Sequence, residues 1–586
     1  MTAGMTRSRA RKYFAAVITL MMVLGLCAAG GPLGCGGNPV ITIPDTGLRE
    51  AIEETLNKLP GDDIYASELA WIQQLDATAR DIQDLSGLEY CTDLQRLGLW
   101  DNEISDLSPL SNLSSLTALI LTENQISDLS PLANLTNLTE LSLGANQISD
   151  ISSLENLTNL TRLLLEENQI GDISPLASMT ALTELSLGDN YISDVSPLDN
   201  LTNLIVLGLW TNEISNIFPI IGLASLTGLD LSSNQISNAS PLSNLTSLAV
   251  LSLAENQLTD VSSLAGLTSL TWLGLENNQI GDISPLANLT GLTTLSIFGN
   301  RINDISPLAN LTDLVWLALR ENQISDLSPL ANLTKLTQLF LGTNQISNIS
   351  PLASHTSLTG LGLGNNQIID VSPLANLTSL TNLNIWTNQI NDISPLANLA
   401  NLTTLYLEDN QISSISPLAN LTNLTTLWLE DNQIGDVSAL AGLTGLTELG
   451  LGRNQVSDLS PLSSLVNLKR VTLDHNQITN IGPLSSLTNL TVIWLDGNSI
   501  TDISSLSGLN KLGEVEVNSW LDQREGIAIC LGLSDNQIAS IEALVYNEGL
   551  SVADGIDFRG NPLSTESLGI YLPQLEDRGV NVLYDA

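Results

Sequence analysis

Histidine occurs twice in this sequence, at His355 and His475, and cysteine four times, at Cys27, Cys35, Cys91 and Cys530. Positive charge is also scarce: 19 Lys and Arg stand against 62 Asp and Glu, a formal net charge of −43. That balance excludes nucleic-acid binding through a basic surface and disfavours adhesion to anionic lipid. It predicts instead a self-repelling monomer that attracts basic partners. Aromatic residues make up only 4% of the chain, so the core must be built from aliphatic side chains. Beyond about residue 29 no apolar run is long enough to span a bilayer.

What is abundant is leucine, in a fixed pattern. The 22 residues from Leu311 to Asn332, LTDLVWLALRENQISDLSPLAN, recur with small changes from about Ile72 to Leu509. Steps of 22 from Asn102 to Asn498 meet an asparagine nineteen times, with no insertion or deletion. A period in the twenties headed by LxxLxLxxN marks a leucine-rich-repeat solenoid. Leu317 and Leu319 alternate with Trp316, Ala318 and Arg320, the period-2 pattern of a short strand with one buried face. One such strand cannot bury its apolar side alone, so stacked copies must form a parallel sheet lining the inside of a curve. Asn322 falls where the chain leaves the strand, and its amide is expected to satisfy backbone groups of neighbouring turns.

Four places after each asparagine stands Asp in fourteen repeats, Asn in four and Ser in one. This exchange keeps a short oxygen acceptor and discards the charge, which argues for a turn role and against a calcium ladder. Pro follows three places later in fifteen of the nineteen repeats, usually after Ser, so Ser is expected to cap and Pro to start a short helical turn on the outer wall. The predicted fold is therefore an α/β solenoid: a curved horseshoe with a parallel sheet on the concave face and 3₁₀-like segments on the convex face. About 22 to 23 turns give an arc of roughly 110 Å along the sheet.

Four divisions follow. Residues 1–34 read as a cleaved, lipoprotein-type signal: Arg7, Arg9, Arg11 and Lys12 precede an apolar run from about Tyr13 to Ala29. Leu33-Gly34-Cys35-Gly36 places a lipidation site at Cys35; the alternative is ordinary cleavage near Ala28-Ala29-Gly30 and release. Loss of the four basic residues takes the net charge from −43 to −47. Residues 35–71 form an N-terminal cap, with a helix opening at Asp45 and ended by Pro60-Gly61, then a short helix over Ala66 to Trp71 that packs Trp71 under the first strand. Residues 72–530 are the solenoid, including a terminal repeat with Trp520 at the asparagine place. Residues 531–586 hold irregular repeats and a C-terminal cap, with helices over Ile538 to Tyr546 and Glu566 to Glu576 and a closing strand over Val580 to Tyr584. Cys91 and Cys530 fall at opposite ends of such a rod and cannot bridge.

The NQISDISPLANLT core of the repeats, with the helical cap ahead of them, resembles bacterial internalin-type leucine-rich-repeat surface proteins over roughly residues 45 to 584. The resemblance implies binding of a protein along the concave sheet, in the cell envelope or outside the cell. Here no immunoglobulin-like module and no LPxTG-type signal follows the repeats, so attachment is expected at the N-terminus.

The positions six, four and two places before each asparagine face outward from the sheet. They hold Trp100 and nine further rings proposed as the ligand-binding set: Trp210, Trp272, Phe298, Trp316, Phe340, Trp386, Tyr406, Trp428 and Trp494. Aromatic anchors on a concave sheet suit recognition of a protein, and with Glu276, Glu321, Glu408, Asp409, Glu430, Asp431, Asp474 and Asp496 among them the partner is expected to be basic, or a glycan. The competing reading is a set of side-chain ladders that stabilise the sheet, in an envelope scaffold with no dedicated partner. No enzyme is expected, and no cofactor or metal. The two histidines lie on different walls, roughly 26 Å apart at strand spacing, which leaves no Cys/His, Ser/His or metal cluster.

Overall fold

In a computed structural model the described residues are 38–514, 522–524 and 527–585, and Cys35 and Trp520 lie outside them. The repeat letter dictates what is seen. Each turn contributes a three-residue strand, such as Trp316–Ala318, then a turn, then a 3₁₀ segment such as Ser328–Leu330. Among the described residues 24 strands make one sheet, and 23 of them run parallel. The register is strict: Trp316, Leu317 and Ala318 pair with Gln338, Leu339 and Phe340 one repeat on. The sheet is open and the solenoid curves as a horseshoe.

Leu314, Leu317, Leu319, Ile324, Leu327, Leu330 and Leu333 of one repeat are all buried. Each contributes about 2 kcal/mol by leaving water, and the same seven columns repeat along the rod. The asparagine closes the polar side of the turn. Asn322 Nδ2 donates to Ile297 O, Leu319 O and Arg320 O at 3.0, 3.1 and 3.2 Å, and its Oδ1 accepts from Ile302 N at 3.0 Å. Asp326 accepts from Ser328 N at 2.8 Å and from Ser328 Oγ at 2.7 Å. The capping side chain is thus Asp326, not Ser328 as the Ser-Pro pattern suggested; Ser328 is the first residue of the 3₁₀ segment. These bonds hold the Asp326 carboxyl below its ordinary range.

The N-terminal cap differs from its expected form in two places. Helix Thr46–Leu56 is capped by Asp45 through Leu48 N, as its sequence implies, but it ends at Asn57 in the left-handed region, ahead of Pro60-Gly61. Trp71, expected in the core, is 65% exposed. Leu69 and Ile72 on either side take the buried places, so no room is left for an indole beneath the first strand.

The far end also corrects the reading. Asn536, not a residue near 520, succeeds Asn498 in the ladder: its Oδ1 accepts from Ile500 N and its Nδ2 donates to Leu495 O. Strand Ile527–Gly532 pairs directly with Val492–Trp494. The chain between Asn498 and Asn536 is one repeat carrying an insertion, which includes the antiparallel strand Asp522–Arg524. Asn561 continues the ladder through Ile538 N. The terminal helices are shorter than expected, Glu542–Val545 and, after a π segment at Ser567–Tyr571, Leu572–Asp577; strand Asn581–Leu583 closes the sheet.

One leucine column carries four exceptions, Cys91, Met179, His355 and Asn547, all buried. His355 Nε2 lies 3.1 Å from Leu330 O, while its Nδ1 is buried without a partner. Burial pulls its pKa below the ordinary value of 6.5. Leu330 O already accepts from Leu333 N at 2.9 Å, so the imidazole is not needed there. His355→Leu is expected to raise stability by ~1–3 kcal/mol by removing an orphaned polar atom. The sign of the pH dependence is fixed by the depressed folded pKa. In the parent chain the unfolded state takes up the proton first, so stability is lost as pH falls below about 6.5. Urea titrations at pH 7.5 and 5.5 should show the gain widening in acid.

Candidate recognition face

The strand geometry settles where the rings go. Side chains alternate across the sheet, and with leucine filling the inner face every concave ring must lie on the outer one. Trp210, Trp272, Phe298, Trp316, Phe340, Tyr406, Trp428 and Trp494 are half-buried there, and Trp386 is exposed at 38%. None enters the leucine core. Trp100, at the N-terminal end, is 45% exposed.

Glycine makes room for several of the rings to lie against the sheet, a signal the sequence reading missed. A methyl group added at Gly188 would stand 2.0 Å from Trp210 Cε2, and one at Gly208 would stand 2.4 Å from its Cζ3. Trp272 lies over Gly274, Trp428 over Gly450 and Trp386 over Gly364, with added-methyl distances of 2.7, 2.4 and 2.3 Å. Each ring thus reclines on a bare stretch of strand, with one face to the sheet. The pairing of aromatic and glycine at concave positions of adjacent repeats could have been read from the letters.

The rings differ in what covers their outer side. The Arg320 guanidinium sits 4.6 Å over Phe298. Trp316 and Phe340 pack at 5.7 Å, tilted by 56°. The Arg470 guanidinium lies 5.1 Å from the Trp428 ring and 4.8 Å from Trp494, and Trp494 Nε1 donates to Ile529 O at 3.1 Å. Trp210 Nε1 is buried with no partner. Trp386 is the most open of the nine, and the repeat before it, Gly360, Gly362 and Gly364, offers no concave side chain at all.

Charge divides the face. In the N-terminal part Arg162 bridges Glu140 at 2.6 Å and Glu184 at 2.9 Å, while Glu166, raised by burial, keeps one oxygen buried without a partner. In the C-terminal part carboxylates gather. Burial pushes Glu408 up to about 7, helped by neighbouring Glu430, and one of its oxygens is buried without a partner. Burial also raises Glu276 and Glu430. Glu430 reaches two repeats on to accept from Thr472 Oγ1. Beside it a shallow cavity of about 470 Å³ is lined by Asp431, Arg453, Asp474, His475, Trp494 and Asp496. Among the described residues no group of His, Cys, Asp and Glu could hold a metal ion, and no helix is long and apolar enough to cross a membrane.

A repeat stack with an asparagine ladder defines a class. A family profile described as leucine-rich repeats, two copies, matches residues 92–200, 224–266, 268–310, 312–354, 356–398 and 400–508, and the chain belongs to that family. Its repeats are internalin-like. An internalin (inlF) from Listeria monocytogenes is 41% identical, with 58% of this chain and 94% of the internalin covered and a TM-score of 0.50. A leucine-rich-repeat protein of Leptospira interrogans is 27% identical over 62% of this chain and 97% of its own, at a TM-score of 0.58. The plant peptide hormone receptor RGFR1, solved in complex with RGF2, shares the fold at 21% identity, covering 86% and 93%, at a TM-score of 0.63. No curated protein matches. Leucine-rich repeats typically mediate protein–protein interaction.

Proposed function

We propose that this is an exported binding protein that takes a basic protein partner on the concave sheet between Trp272 and Trp494. Residues 1–34 are its signal, and a lipid on Cys35 holds it to the envelope. Residues 35–71 and 531–586 close the two ends of the binding rod. The observation that carries the reading is Trp386, an exposed indole set between a glycine-only repeat and the Tyr406–Glu408 repeat. A large ring left open to water on a concave face is an anchor without an occupant. The carboxylates beside it, desolvated and incompletely paired, favour a cation. The second reading, a scaffold or glycan binder, draws support from the clamped Arg470 and the Trp316–Phe340 pair, which already satisfy those rings internally.

Trp386→Ala is expected to weaken the partner at least about tenfold, as for a central aromatic anchor. Circular dichroism and the unfolding midpoint should be unchanged, because the ring rests on glycine outside the core. The check is retention of envelope or host proteins by immobilised mature chain, with an arginine-rich peptide as competitor. Equal retention by the parent and the variant, or no competition by the peptide, would remove the reading.

A further inference from the structure

The N-terminal cap leaves three large apolar side chains in water among its charged ones. Leu59 is 73% exposed, Val40 50%, and Trp71 has its indole in water. A cap exists to shield the end of a solenoid, and a polar outer face is what the rest of its surface provides. The three residues sit on segments tied to one another. Val40 bridges to Tyr65. Asn38 and Ser67 exchange two hydrogen bonds, of 2.7 and 3.0 Å, and Trp71 follows one turn after Ser67. Lys58, next to Leu59, reaches Glu68 of the same short helix at 2.9 Å and lies over the Tyr65 ring at 5.8 Å. The stretch that carries Trp71 is therefore held beside the first described residue, Asn38.

Asn38 is the third residue after Cys35, a reach of ~10 Å at full extension. We propose that this cap, through the exposed Trp71 with Val40 and Leu59, docks on the lipid bilayer in which the Cys35 acyl chains are buried. The proposal rests on the lipid-anchored reading above. With so short a tether the cap cannot stand clear of the headgroups, and an indole is the side chain best suited to their depth, apolar in body and polar at one edge. Val40 and Leu59 add apolar area beside it. The acidic residues of the cap, Glu50, Glu54, Asp62 and Asp63, set the lipid preference: a zwitterionic surface accepts them and an anionic one repels them. Docking would stand the solenoid on its N-terminal end and carry the concave face away from the membrane.

The test uses the full chain, exported and recovered with its N-terminal modification, in phosphatidylcholine vesicles. Cys91 and Cys530 are buried, so a Leu59→Cys variant acylated at Cys35 offers one reactive thiol for a polarity-sensitive fluorophore. A Val552→Cys variant, at an exposed site in the far end, serves as the control. The expected result is a blue shift at position 59 and quenching by shallow spin-labelled lipid several-fold greater than at 552. Trp71→Ala added to Leu59→Cys should abolish most of that quenching while the chain stays on the vesicles. Equal, weak quenching at 59 and 552 in a chain whose N-terminal peptide carries acyl mass would overturn the docking and leave the anchor. An N-terminal peptide without acyl mass would overturn both.

Discussion

Replacing Asn322 by alanine is expected to destabilise the middle of the solenoid by ~3 kcal/mol, although the residue is buried and meets no proposed ligand. The amide serves four backbone groups at once: it donates to Ile297 O, Leu319 O and Arg320 O and accepts from Ile302 N. Alanine leaves these groups inside with fewer partners, and each buried orphan costs about 1–3 kcal/mol. The cost is local in sequence and non-local in consequence. In a stacked rod each repeat contacts only its neighbours, so a weak interface divides the molecule into two cooperative blocks. Amide exchange should quicken over residues 297–344 by roughly a hundredfold, with the ends of the rod unaffected. Asn322→Asp separates hydrogen bonding from volume. It keeps the shape and the acceptor but turns a charge toward three carbonyl oxygens, and it should do at least as much damage as alanine at neutral pH. Asn332→Ala, on an exposed convex turn, is the matched neutral change. If Asn322→Ala left both exchange and the urea midpoint unaltered, the ladder would not be what holds the turns together.

Much of this architecture could be read from letters because the repeat makes every local preference vote nineteen times. The strand at Leu317, the turn at Asp326 and the short helical segment at Ser328 are each specified by a few residues in contact with the next turn. Reading fails where that redundancy ends. Trp71 belongs to a single cap, and size alone suggested burial; the neighbouring Leu69 and Ile72 had already filled the space. The segment after Asn498 kept enough apolar letters to mimic one more repeat, but only the hydrogen bonds of Asn536 reveal that the ladder steps over it. On the concave face the nine rings stand outside the leucine core, as the alternation of side chains along a strand requires. How far each ring stands open depends on its neighbour's size, so Gly188, Gly208 and Gly450 decide the posture of Trp210 and Trp428. Another feature invisible in the pattern is the left-handed residue before most of the asparagines, such as Glu321 with φ 56°. It tolerates charged residues because the turn is fixed from both sides.

Acidification through pH 7 is expected to weaken the basic partner by about tenfold while making the C-terminal half of the rod more stable, two opposite trends from one carboxyl group. Glu408 is pushed up to about 7, first by burial and then by the nearby charge of Glu430. A carboxyl whose folded pKa lies above its unfolded value costs stability wherever it is ionised in the folded chain. That cost is present above about pH 7 and disappears as pH falls toward 4.5. After allowance for the part of Glu408 that meets solvent, relief of ~1–2 kcal/mol follows. Glu276 and Glu430, raised for the same reason, add to it in the same direction. Binding moves the other way, because the proton removes the charge that a partner's Lys or Arg would meet; a desolvated ion pair is worth about 1.5 kcal/mol or more. Two other titrations need separating. The turn aspartates such as Asp326, held below their ordinary range by Ser328, lose their contribution only as pH falls through their depressed folded pKa values, below 3.8. His355 destabilises over an overlapping range near pH 6.5 and below, which is why the unfolding series belongs in the His355→Leu chain. Glu408→Gln should flatten the main pH dependence of affinity near pH 7 and remove the stability gain assigned to that site. A partner bound with equal strength at pH 8 and pH 6 by the parent chain would mean that Glu408 faces no cation, and the charge argument for this end of the sheet would fail with it.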